Sequence, residues 1–402
     1  MNDRTLDTSD LDNYMGKPLQ PGRMKEPLHN NDFRRWAQAM HYPNLLHYDT
    51  EFSAEARFGK LVAPQSFAVC TDDGHGATPA CVGRIPGSHL IFGGDEWWFF
   101  GPRIFAGDMI VNERIPFDYV VKETKFAGPT CFQRGDNNYY NQAGELVARQ
   151  RSTGIRYRKD LAVEMGSLTQ AEDPVWTPEQ LAELHDRKFA WIESLHELGH
   201  GKRFWEDVEI GDTLPERVFG PHTIASFTTE WRAYLFTIWG GTHRVNPDFE
   251  AMGFDPAMAG HENDGVMERI DPELTDGAYF GPSRGHLFPE WARYIGMPRG
   301  YGYGASMGAW IIDYLAGWAG EWGQVVHSNA FYRGPAFTGD ITIQNATVID
   351  KLIDDEGRSV VQVDCKMTNQ LGTTLATAIA EIELPRRSSG GPQVGNAQES
   401  GE

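Results

Sequence analysis

The amino-acid sequence predicts an α+β protein built from one unit used twice in tandem. Three observations predict it: a repeated pair of turn motifs, period-two patterning around those turns, and a helical stretch ahead of the strands in each half. Gly101-Pro102-Arg103-Ile104-Phe105-Ala106-Gly107-Asp108 is matched by Gly334-Pro335-Ala336-Phe337-Thr338-Gly339-Asp340. Asn141-Gln142-Ala143-Gly144 is matched, at nearly the same separation, by Asn369-Gln370-Leu371-Gly372. Two independent matches at one offset point to a duplicated unit rather than to unrelated hairpin turns.

The strands follow from alternation. Ile341, Ile343 and Ile349 share one face of a segment, and from Val361 to Met367 the odd positions are apolar and the even ones polar. Each half therefore ends in an antiparallel meander with one wet face. Helices are expected over Asn31–Met40, with Asn31 or Asp32 as N-cap, and over Ala225–Trp239. A third, Ala305–Ala319, is lined with Gly and Ala, which suits close burial against a wrapped sheet. Thr177-Pro178-Glu179-Gln180 has the capping-box pattern and opens a linker helix that runs to about Leu198 and stops at Gly199 and Gly201. The expected organisation is an N-terminal arm (1–24), a first unit (25–160), a helical linker (161–202), a second unit (203–386) with an insertion (242–284), and a low-complexity, disordered tail (387–402).

Composition narrows the function. The chain has 402 residues and a net charge of −20, which repels a phosphate backbone or an anionic membrane and argues against both as partners. A small phosphorylated ligand stays possible through local arginines. The four cysteines form no CxxC pair and are too few for a disulfide framework, so a reducing cytoplasm is expected. No apolar run reaches the length of a membrane span, and the polar N-terminus shows no signal-peptide core.

Several segments resemble the MaoC-like family of hotdog-fold acyl-CoA hydratases and dehydratases, in its two-hotdog form. Trp36 to Asp49, WAQAMHYPNLLHYD, is similar to the family segment ending in Gly-Asp-x-Asn-Pro-x-His, and Arg57 to Pro64 follows like its Gly-x-x-Ala-Pro stretch. In the second half, Gly285-His286-Leu287-Phe288-Pro289-Glu290-Trp291-Ala292 resembles His-x-Asp-Pro-Glu-Phe-Ala, with Ile295-Gly296-Met297-Pro298 after it. The resemblance implies a tandem double hotdog, each unit a long central helix wrapped by an antiparallel sheet. It also implies an acyl-CoA thioester substrate, here with a bulky acyl group suggested by the many aromatics. No cofactor is implied beyond the CoA carried by the substrate. A homodimer is expected, although two hotdogs in one chain can also pair as a monomer.

The implied chemistry needs a base for water, an acid for the α-carbon and backbone N–H groups for the enolate oxygen. His47, Asn44 and Tyr42 are the candidates in the first half, with Tyr42 standing where the family has Asp. His286 and His243 are the candidates in the second, where the insertion interrupts the motif. Gly302 and Gly304 open the Gly/Ala-rich helix and are candidate oxyanion donors; Arg299 and Arg57 are candidate phosphate contacts. His196-Glu197-Leu198-Gly199-His200 matches HExxH, but the glycines fall where the helix should end, so no metal site is expected. Gly302-x-Gly304-x-x-x-Gly308 lacks the preceding strand of a dinucleotide loop. Two other functions stay open: a non-catalytic thioester-binding or assembly subunit, and a hotdog thioesterase.

Overall fold

The computed structural model describes residues 5–24, 26–72, 76–168, 172–234, 284–286 and 289–387. The first half runs β1 (Gly22–Arg23), α1 (Asn30–Ala39), α2 (Thr50–Glu55), β2 (Ser88–Phe99), β3 (Val111–Thr124), β4 (Gly128–Tyr140) and β5 (Leu146–Arg158). Then come α3 (Lys159–Met165) and the linker helix α4 (Pro178–Leu198). The second half has β6 (Arg217–Phe219), α5 (Ile224–Ala233), α6 (Pro289–Tyr294), α7 (Gly304–Ala319), β7 (Gln324–Tyr332), β8 (Thr342–Ile353), β9 (Ser359–Thr368) and β10 (Thr374–Glu383).

All ten strands form one antiparallel sheet, ordered β1-β3-β4-β5-β2-β7-β10-β9-β8-β6. The order reads the same from either edge once the halves are superposed. β2 and β7 are counterparts and pair with each other, from Gly94↔Phe331 to Trp98↔His327. The duplication is thus a pseudo-twofold, with the two sheets joined edge to edge so that neither leaves its inner strand unpaired.

The two repeated motifs touch each other in both halves. Gln142 Nε2 donates to Asp108 Oδ1 at 3.0 Å, and Gln370 Nε2 donates to Asp340 Oδ1 at 2.7 Å. The same glutamines accept from the next backbone N–H, Met109 at 3.1 Å and Ile341 at 3.0 Å. The Gly-Asp and Asn-Gln-x-Gly motifs are therefore one structural device, a side-chain clamp that ties the β4–β5 or β9–β10 turn to the start of β3 or β8.

The units differ inside. α7 is almost wholly buried and packs on an apolar face made by Ala346 and Val348, by Val361, Val363 and Cys365, and by Ala376, Ala378 and Ala380. Small Ala side chains let the helix approach the strands. The expectation of a long central helix in each unit fails for the first. There the corresponding segment is the buried 3₁₀ turn Gln65–Thr71. Gln65 is spent on the second half, its amide exchanging two 2.9 Å hydrogen bonds with the Val325 backbone. The inner face of the first sheet is accordingly polar, with buried Asn112, Arg114, Gln133, Asn137, Gln150 and Arg156 bonded to one another and to the loop that covers them.

Other boundaries shift slightly. α1 begins one residue earlier than expected: His29 is the N-cap, and Asp32 returns the bond from position N3 as half of a capping box. α4 matches its expected limits, with the Thr177/Gln180 capping box formed and Gly199 as C-cap. α5 ends at Ala233, with Tyr234 as an extended C-cap, short of the expected Trp239; residues 235–239 lie outside the described residues. The N-terminal arm packs on the first unit through buried Leu11, against Ile85 and Cys131.

Candidate active site

Local folding places His47 and His286 in equivalent positions. Each closes a short 3₁₀ turn, Leu45–His47 or Arg284–His286, just ahead of a six-residue helix, α2 or α6. Each Nδ1 lies 2.8 Å from a backbone carbonyl, that of Val62 or Tyr301. Those two residues bridge to Phe105 and Phe337, themselves counterparts. A carbonyl only accepts, so Nδ1 carries the proton in both rings and Nε2 presents its lone pair. Burial pushes His286 down to about 4 and His47 to about 3, so both imidazoles are neutral at neutral pH.

Their surroundings separate them. His47 is 2% exposed. Its motif partners are occupied: Asn44 donates to the Tyr42 hydroxyl at 3.0 Å and accepts from Leu46 N at 3.1 Å. Burial, then Asp313, pushes the Tyr42 phenol well up, which removes it as a base near neutral pH. Tyr42 lies against Gly317 of α7 and beside His47, at a ring separation of 5.1 Å. The group is a packed, mutually bonded cluster.

His286 is only partly buried. Its ring lies 4.3 Å from that of Tyr301 and 4.1 Å from that of Tyr303, and Tyr303 is the N-cap of α7, with no side-chain cap bond. The first intrahelical bond is Met307 N to Tyr303 O at 3.1 Å. The N–H groups of Gly304, Ala305 and Ser306 thus have no acceptor among the described residues. The neutral imidazole packs on the N-cap residue of a 16-residue helix whose first N–H groups are open among the described residues, at the helix's positive end. The geometry can hold a carbonyl oxygen and take a proton.

Of the two candidate glycines, Gly304 belongs to that open turn. Gly302 does not, because its N–H is bonded to Ala336 O at 2.7 Å. Gly304 also has a packing reason, since a Cβ there would overlap the Phe92 side chain of β2 at its root. Gly304→Ala is therefore expected to cost about 1–3 kcal/mol through overpacking, measured as a lowered midpoint in urea unfolding.

Arg299 is corrected from phosphate contact to internal strut. It is 2% exposed, its Nη2 lies 3.2 Å from both Asp340 oxygens, and its Nη1 serves Thr338 O and Asp173. Arg57 is exposed; its backbone N–H donates to the Glu321 carboxylate, and its guanidinium donates to Glu321 O and stacks on Phe58 and Trp322. His243 lies outside the described residues. In the HExxH segment, His196 Nε2 faces Pro43 O at 3.1 Å, whereas His200 lies beyond the helix end, stacks on Phe52 and faces Glu321 at 3.4 Å. The break at Gly199 keeps the two rings off one helical face, and among the described residues no three such side chains gather as metal ligands.

Among the buried carboxyls that the sequence reading missed, three hold their protons unusually tightly. Burial pushes Asp95 and Asp313 up to about 7 and Glu230 up to about 8. Asp95 accepts from Gln150 and Tyr332, both at 2.8 Å, and Asp313 accepts from Ser66 at 2.6 Å. One signal was visible: Asp313 is the only charged residue in an otherwise apolar helix.

Comparison with known proteins bears on the fold. Residues 13–150 match the family profile of the FAS1-like dehydratase domain region. A solved MaoC-like dehydratase superposes with a TM-score of 0.57 at 15% identity, over 93% of this chain and 100% of its own. A MaoC domain protein dehydratase from Chloroflexus aurantiacus J-10-fl gives 0.50 at 13%, over 96% and 99%. A Mycobacterium tuberculosis protein described as a double hotdog gives 0.48 at 10%, over 93% and 98%. No curated protein matches the chain in sequence. Residues 13–150 are thus similar to a dehydratase domain region, and the whole chain has the double hotdog fold found in MaoC-like dehydratases.

Proposed function

We propose that this protein is an acyl-thioester hydratase or dehydratase, a hydro-lyase interconverting a 2-enoyl-CoA and a 3-hydroxyacyl-CoA, and that its second half carries the reaction. The supporting observation is the packing of the His286 ring, its Nδ1 tied to Tyr301 O, against Tyr303 at the uncapped start of α7. In the hydration direction the thioester oxygen takes the α7 N–H groups, which hold the negative charge that develops as the enolate forms. His286 removes a proton from the water that attacks Cβ. Arg57 is the candidate for the CoA phosphates. The dehydratase profile on residues 13–150 supports the hydratase-or-dehydratase class for the chain, and the choice of the second half rests on the surroundings of His286.

The test is the ultraviolet absorbance of the enoyl thioester with purified protein. Loss of the enone band without release of free thiol supports the proposal, and thiol release instead identifies a thioesterase. Tight acyl-CoA binding without turnover across acyl lengths sinks it.

A pH prediction follows from the lowered imidazole. The base works while His286 is neutral, that is, above its folded value of about 4. The acid limb of kcat/KM is therefore expected near pH 4, well below an ordinary histidine at about 6.5, and initial rates from pH 3.5 to 7 check it.

A further inference from the structure

One buried group near this site has no hydrogen-bond partner among the described residues. Glu230 stands near the C-terminal end of α5, is fully buried, and neither carboxyl oxygen is bonded by any of them. A buried carboxyl without a partner costs stability, so folded proteins pair such groups or replace them.

Its position ties it to the start of α7. Phe227, one turn earlier on α5, packs with Trp231 and Tyr303, and a Cβ on Gly302 would stand 3.0 Å from the Phe227 ring. Tyr303 is the α7 N-cap whose ring lies against His286. The group acting on Glu230 from α7 is the Ser306 hydroxyl in that helix's first turn, itself buried and without a closed hydrogen bond.

The pseudo-twofold sharpens the oddity. Trp36 holds the matching place on α1, and its indole N–H donates to Ser66 at the start of the matching segment, at 2.9 Å. One copy is satisfied by an aromatic donor. The other carries an acid with both oxygens open.

Resting on the reading of His286 as the base, we propose that Glu230 is the second proton-transfer group of the site, the acid that protonates Cα. In hydration, His286 Nε2 takes one proton from water as the oxygen bonds to Cβ. The C=C electron pair moves to the thioester, forming the enolate at the α7 N–H groups. As C=O re-forms, the new C–H bond at Cα takes the proton from the Glu230 carboxyl. The proton held by His286 then returns to the Glu230 carboxylate, which restores both groups, and dehydration runs the same steps backwards. Burial keeps Glu230 protonated up to about pH 8, the form an acid needs. The titratable groups around it are Tyr234 just beyond α5, Asp95 of β2 and Tyr332 of β7 through that tyrosine, and His286 across Tyr303. Among the described residues no cation pairs with Glu230, and the Ser306 hydroxyl only partly offsets the effect of burial.

The experiment compares wild type with Glu230→Gln, which keeps shape and hydrogen-bonding capacity. The expected result is a fall in kcat of about 100-fold with KM within a few-fold, and loss of the alkaline limb that wild type shows near pH 8. Unchanged kcat and an unchanged alkaline limb in the variant, with wild type active, overturn the role of Glu230 and leave the hydratase reading standing. A second measurement needs no turnover: the infrared carbonyl band of a protonated carboxyl in the full-length protein at neutral pH. That band is expected in wild type, to be absent from Glu230→Gln, and to shift when a saturated acyl-CoA is added. A band that ignores acyl-CoA removes Glu230 from the thioester site, whether or not wild type turns over. Wild type inactive on every enoyl thioester, with a band that does shift, defeats the hydratase reading and retains Glu230 as a ligand-facing acid. If Glu230→Gln fails to fold, Glu230→Asp takes its place, and a carbonyl band with the same position and the same response to acyl-CoA as wild type removes Glu230 from the site.

Discussion

Changing His286 to Asn is expected to lower kcat/KM for enoyl-CoA hydration by about 10²–10⁴-fold, the usual worth of a positioned proton-transfer group. The same change at His47 is expected to leave it within a few-fold. Asn is the informative substitute because its amide NH₂ can take over the bond that Nδ1 makes to Tyr301 O or Val62 O, while nothing replaces Nε2. Both variants therefore keep the local fold and lose only the base. The asymmetry follows from what stands next to each ring. His286 touches the N-cap of a full-length helix with an open first turn, whereas His47 is sealed beside a Tyr42–Asn44 pair that bonds to itself, and the helix that should serve it is a short 3₁₀ turn. Initial rates by enone absorbance check both variants, and a larger loss at His47 would move the site to the first half.

Much of this was legible in the sequence. The duplication could be read because the Gly-Asp and Asn-Gln-x-Gly motifs are held by reciprocal contacts, so neither half can change one without losing the other. α4 could be read because its capping box and C-terminal glycine act within a few residues. What failed rests on distant partners. The first unit's missing helix depends on Gln65 bonding Val325 across the pseudo-twofold, which no local pattern announces. Arg299 looks like a surface arginine until Asp340, from the second copy of the Gly-Asp motif, is brought against it. Glu230 sits in an ordinary amphipathic stretch, and its burial is visible only once α5 packs on Tyr303 at the start of α7.

The second large effect concerns stability, and it follows from that missing helix. Asp72 is fully buried, accepts from Arg114 Nη2 at 2.6 Å and Nε at 3.0 Å, and also takes Asn112 Nδ2 and Gly76 N. Asp72→Ala deprives a buried guanidinium, a side-chain amide and a backbone N–H of their shared carboxylate, and is expected to cost about 3–5 kcal/mol. Replacing both members, Asp72→Ala with Arg114→Leu, is expected to recover much of that loss, since a buried pair exchanged for apolar groups is often near neutral. Urea unfolding of the two variants separates the cases. The comparison tests why the first unit tolerates a polar interior at all. In the second unit, α7 satisfies its own backbone and presents apolar side chains to an apolar sheet. A covering loop cannot do this, because its N–H and C=O groups need partners from elsewhere. Gly76 N bonds Asp72, Gly76 O accepts from Asn137, and Val82 O accepts from Gln133. The buried polar residues of β3 and β4 are thus the hydrogen-bonding partners of a backbone that lost its helix, with Asp72 as the anion that balances Arg114. If the double variant proves as unstable as Asp72→Ala, the loop's own bonds to Asp72 outweigh the ion pair, and the polar face exists to hold the loop rather than to neutralise a charge.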